Sequence, residues 1–160
     1  MRINEDYIDE LDDFSEEREA QIHSLEFKNI FGDWENDREN SSKCVDAAGR
    51  PMLLYHSYDN ENYDSGLIYL SSDEDFSSEF GDITEEFFVN LRNPYITEDG
   101  ILRDANDNEI YFEGEPAAIG YLDSIPEEYL LWYQNNFDGV MDPTGYFVVA
   151  FDKKSLIKAK

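Results

Sequence analysis

Short apolar runs, each bounded by turn residues, limit this chain more than any other feature of its sequence. Residues 52–56, 67–71, 87–91, 137–141 and 146–151 are apolar stretches with Gly, Pro, Asn, Asp or Ser close to their ends. Runs of this length read as strands, because ordinary helices need about ten or more periodic residues. Helical patterns fall between them at irregular intervals. Ile8, Leu11, Phe14, Ile22 and Leu25 recur at near-helical spacing across 4–25. Ser72 followed by acids reads as a capped helix start running to about Gly81. Pro126 opens a helix carrying Tyr129, Leu130, Trp132 and Tyr133. Strands and helices mixed without a regular βαβ rhythm predict an α+β fold rather than a doubly wound sheet.

Composition enters through charge. The 160 residues carry a formal net charge of −26, yet 41% are hydrophobic and 15% aromatic, too many for a disordered acidic polymer. One domain with a real core is expected. The charge is uneven: residues 1–40 hold −10 and 59–129 hold −18, whereas 41–58 and 134–160 are each +1. A site for an anionic ligand belongs in those two stretches. Nucleic acid is disfavoured as a direct ligand, since phosphate binding needs clustered Lys and Arg. A basic protein partner, or mimicry of nucleic acid, fits the charge. The acidic pattern of 4–25 serves either a helix packed on the domain or one that docks on a partner.

Cys44 is the one cysteine, so no disulfide forms within the chain. No basic leader with an apolar stretch and no membrane-length apolar run is present, which predicts a cytoplasmic protein without a membrane partner. No Gly-x-Gly-x-x-Gly turn, Walker loop or Gly-x-Ser-x-Gly elbow occurs. With His23 and His56 as the only histidines there is no zinc spacing. Residues 104–109 lack the ordered ligand spacing of a calcium loop, and no metal is expected. His56 and Tyr69 place one ring on each of two short strands, where a planar, sugar-linked ligand could be gripped. The alternatives are a histidine satisfied by a backbone carbonyl and a tyrosine that simply packs.

The surrounding text carries a resemblance. Phe27, Gly32, Asp33 and Trp34 within 27–37, the stretch 41–46, Gly49 to His56, Gly66 to Ser71, Glu85 to Pro94, Asp138-Gly139-Val140, and Val149 to Lys158 follow one another in a characteristic order. Together they resemble the ADP-ribosyltransferase-like domains of phage and mobile-element polyvalent proteins, over roughly 27–158. The resemblance implies a compact α+β fold of two small packed β-sheets over 27–160; residues 1–26 fall outside it and read from their own pattern as an acidic helical extension. It implies NAD as co-substrate, with His56 on the nicotinamide ribose, Tyr69 stacked on the nicotinamide and backbone groups at Ser57 holding the carboxamide. A negative group would oppose the oxocarbenium character that builds on the ribose. The glutamate usual at the head of the last strand is replaced here by Gly145, Tyr146 or Phe147, which leaves Asp142 or Asp138 for that role. Ser57 also stands where glycine is frequent. The implied activity is mono-ADP-ribosyl transfer from NAD to a host macromolecule, most readily a basic or nucleic-acid-binding protein. The alternative is a non-catalytic acidic inhibitor or nucleic-acid mimic acting on a host defence protein.

Overall fold

The computed structural model describes residues 14–59 and 66–160. It is a mixed α+β structure with four α-helices among the described residues: α1 (Glu16–His23), α2 (Leu25–Phe31), α3 (Glu74–Ser78) and α4 (Glu127–Asn136). Ile8 and Leu11 of the expected N-terminal helix lie outside the described residues. Of the helix expected over 4–25, residues 16–23 form α1, which starts after the Ser15 cap and so leaves Phe14 outside it; Ser24 ends α1, donating its N–H to the Gln21 carbonyl and accepting the Phe27 N–H on its hydroxyl. One serine thus ends α1 and caps α2. The break turns Leu25 outward, 74% exposed, while Ile22, Phe27, Phe31 and Trp34 pack on Phe88. Gly32, at φ 103°, ends α2 in a conformation that favours glycine.

Two sheets carry the core. The first orders β1 (Leu54–Tyr58), β3 (Ile83–Val89) and β9 (Leu156–Lys158) side by side, all antiparallel. The second orders β2 (Ile68–Leu70), β8 (Val148–Ala150), β7 (Gly139–Met141) and β4 (Tyr95–Ile96), with β4 and β7 parallel. A small ribbon, β5 (Tyr111–Phe112) with β6 (Glu115–Pro116), stands beside them. The second sheet is buried on both faces. Val148, Ala150 and Met141 pack with Leu54, Ile68 and Leu70, whereas Val149 and Val140 pack with Leu102, Ile119, Leu122 and Tyr133. That two-sided burial explains why 146–151 reads as a continuous apolar run instead of alternating.

The last strand differs from expectation. Residues 146–151 were expected to close the fold, but β9 follows them and completes the first sheet on the free edge of β3. Arg18 pairs with Glu86 at 2.7 Å, and the Gln21 amide donates to the Lys158 carbonyl at 2.8 Å. Residues 14–26 are therefore tied to both β3 and β9. The cap of α3 also shifts by one position: Asp73, rather than Ser72, accepts the Phe76 N–H, and the helix ends at Ser78. Among the described residues no helix is long and apolar enough to cross a membrane.

Candidate functional site

Strand β1 brings His56 to the place where the two sheets separate. Tyr55 and Ser71 exchange both backbone hydrogen bonds, at 2.8 and 3.0 Å, and form the one bridge between β1 and β2 among the described residues. One residue further along β1, the His56 imidazole takes over from the backbone ladder. Its Nδ1 lies 2.8 Å from the Tyr69 carbonyl oxygen. A carbonyl only accepts, so Nδ1 is the protonated nitrogen and Nε2 keeps its lone pair in the neutral ring. The ring is thereby fixed in tautomer and direction at the divergence of the strands.

Alternation along β1 puts Leu54, His56 and Tyr58 on one side, running from fully buried through half-buried to exposed. The His56 and Tyr58 rings are near-parallel, 23° apart in plane with centroids at 5.7 Å. Across the ladder His56 stands opposite Glu85. Glu85 accepts the Tyr58 hydroxyl at 2.5 Å on Oε1 and the Lys158 ammonium at 3.0 Å on Oε2. These two donors, the hydroxyl first, hold the Glu85 carboxyl below the usual carboxylate range, and the same hydrogen bond raises the Tyr58 phenol. The Lys158 ammonium also lies 5.0 Å from the Phe87 ring centroid. An imidazole, an exposed phenol, an ionised carboxylate and an ammonium share one side of the sheet, a donor and acceptor set suited to a hydroxylated ligand.

The expected site residues are joined only in part. Tyr69 meets His56 through its carbonyl, while its ring packs edge-on against Phe147 at 6.0 Å, with Phe76 and Phe80 in the same aromatic group. Ser57 is buried, its hydroxyl within 2.9 Å of Ser77 Oγ and 2.7 Å of Thr84 Oγ1. The crevice between Ser57, Tyr69, Phe76 and Phe147 has an interior of about 10 Å³, room for roughly one water. Asp142 accepts the N–H groups of Thr144 at 2.8 Å and Phe147 at 2.6 Å. It therefore reaches Tyr69 through Phe147. Asp138, at the opposite end of β7, accepts the N–H groups of Arg92 at 2.7 Å and Asn93 at 3.2 Å and fixes the bend after β3. Nothing in that arrangement links Asp138 to His56.

Tyr58, Glu85 and Lys158 are the members that sequence reasoning passed over. The signal for Glu85 was present: Ile83 and Thr84 are good strand formers, and starting the strand there places Glu85 and Phe87 on one face. Starting it at Phe87 hides the acid. No protein-family model matches this chain, and neither does any curated protein or solved structure.

Proposed function

We propose that this chain is a mono-ADP-ribosyltransferase of the phage or mobile-element type, with an ADP-ribosyltransferase-like fold, that uses NAD as co-substrate and modifies a host protein. The observation that supports this reading best is the anchoring of His56 through Nδ1 to the Tyr69 carbonyl at the point where two small sheets part. An imidazole held that way offers Nε2 to a ribose hydroxyl without any loss of side-chain freedom on binding. The residues suit a sugar better than a buried flat ring. The crevice beside Tyr69 is too small for nicotinamide, so the ring would lie on the open side of β1, against Tyr58.

NAD supplies the glycosidic bond that is cleaved and the ADP-ribosyl group that is transferred. His56 orients the ribose, Tyr69 holds the imidazole through its carbonyl, Tyr58 borders the leaving ring, and Ser57 contributes backbone groups. Two carboxylates are available to oppose positive charge on the sugar. Glu85 faces His56 and is held ionised; Asp142 retains lone pairs beyond those its backbone partners use. The experiment is transfer of labelled ADP-ribose from NAD to proteins of a bacterial lysate, with NAD binding measured separately on the purified chain. Label on a protein acceptor that falls at least tenfold in His56→Ala supports the reading. Absence of both transfer and NAD binding sinks it.

A second reading, a non-catalytic acidic inhibitor that occupies the nucleic-acid face of a host protein, rests on a different observation. Arg18, Lys28, Arg50, Arg103 and Lys158 are each paired with Glu or Asp, so much of the small stock of cations is spent locally and the surplus acid is unrelieved. NAD binding with no transfer, together with salt-sensitive competition against nucleic acid for a basic protein, would favour it.

A further inference from the structure

A second cavity, larger than the crevice beside Tyr69, lies away from His56. A groove of about 410 Å³ opens between the loop that follows α2 and the end of β7, with Trp34, Ile96, Met141 and Pro143 as apolar walls and Arg38 and Lys43 among its lining residues. Its size falls within the range of roughly 300–1,000 Å³ found for small-molecule sites. Two features make its charge unlike that of the surrounding chain.

First, Arg38 and Lys43 form no ion pair with a described carboxylate. Arg38 Nη2 donates to the Ala48 carbonyl at 3.3 Å and Lys43 Nζ to the Glu39 carbonyl at 2.9 Å. Both positive charges are therefore uncompensated by a carboxylate at contact distance. Second, the acid of the groove is turned to another use: Asp46 Oδ1 accepts the N–H groups of Ala48 at 2.9 Å and Arg50 at 3.0 Å, closing the turn at 46–50. Arg38 is also positioned in advance. Its guanidinium lies over Gly49, where a Cβ would come within 2.4 Å of Cζ, so the glycine gives the side chain its seat. Asp46 keeps its charge while it accepts the Ala48 and Arg50 N–H groups, so the lining carries two cations against one anion.

We propose that this groove is a binding site for a small organic anion in which a phosphate or carboxylate sits on a flat or apolar body. The anionic group pairs with the Arg38 fork and the Lys43 ammonium, and the body lies against Met141, Ile96 and Trp34. A planar guanidinium matches two oxygens of either anion, and such charge-assisted bonds exceed neutral ones in strength. The site is separate from the one built on His56 and does not depend on that reading.

The test is a two-dimensional NMR titration of the intact chain with adenosine monophosphate, and in parallel with adenosine, inorganic phosphate and benzoate. Saturable shifts of the Trp34 indole and of amides at 41–49 are expected with the monophosphate, and weaker ones with adenosine or phosphate alone. Benzoate equal to the monophosphate would assign the anion as a carboxylate. Arg38→Gln and Lys43→Gln should each weaken binding about tenfold, whereas His56→Ala should leave it unchanged. Arg38 is exposed and both side chains bond only to loop carbonyls, and the dispersion of each variant's spectrum reports that it remains folded. The proposal is overturned if no probe gives saturable shifts in the groove, if the Arg38→Gln/Lys43→Gln double variant binds as well as the parent, or if the shifts fall at 54–58 and vanish with His56→Ala.

Discussion

His56 owes its position to a backbone carbonyl. Its Nδ1 donates to the Tyr69 carbonyl at 2.8 Å, which links β1 to β2 one step beyond the Tyr55–Ser71 bridge. Replacing His56 by Ala therefore removes the imidazole hydrogen bond to that carbonyl. Glu85 carries a pH consequence. Its folded-state pKa is lowered by Tyr58 and Lys158, so the stability it adds is full above the unfolded pKa and is lost as pH falls through the folded value. Glu85→Gln should lower the stability measured by urea unfolding at neutral pH by about 0.5–1 kcal/mol. The difference from the parent should shrink as pH falls from about 5 towards 2. A constant difference would show that Glu85 acts through packing. Cys44 behaves in the opposite sense: complete burial pushes its thiol up to about 12. It should resist a maleimide at mildly alkaline pH and react only when urea unfolds the chain.

At the scale of elements, legibility followed burial. The run at 146–151 was readable because β8 is covered on both faces, and the turn at 142–145 because Asp142, Pro143 and Gly145 are turn residues. Strand β9 was not readable. Leu156, Ile157 and Lys158 stand among lysines with no alternation long enough to register, and they become a strand by pairing with Phe87, Phe88 and Val89. Likewise His56 stood out by residue type, whereas Glu85 was one acid among 38 Asp and Glu until the register set it opposite the imidazole. Ser24 offers a local check, since it serves two helices. Ser24→Ala should cost about 1 kcal/mol, read from the urea midpoint, and the loss should be matched by lower helical circular dichroism. Gly145 offers a second. At φ 76° and with Met52 Sδ 2.1 Å from the position of an added Cβ, Gly145→Ala should destabilise by about 1–3 kcal/mol.

For the whole molecule, net charge sets the response to solvent. A chain at −26 whose ion pairs use much of its small complement of cations is strained by self-repulsion at neutral pH. Sodium chloride raised from about 0.01 to 0.5 M should therefore increase the thermal midpoint, as the screening length falls from roughly 30 to a few ångströms. A midpoint that fell with salt would mean that the surface ion pairs outweigh the repulsion.

The edge strand β9 has a further consequence, for the order in which the protein is made. It pairs with β3, and Gln21 in α1 bonds to Lys158 across 137 positions of sequence. During translation, β3 leaves the ribosome with its outer edge uncovered and keeps it so until residues 156–158 have been added. A nascent chain stalled before that point presents an open β edge, a surface on which another such chain can pair. A chain ending at Asp152 should accordingly expose that edge and sediment as aggregates, and supplying a peptide spanning 153–160 in excess should reduce the aggregation.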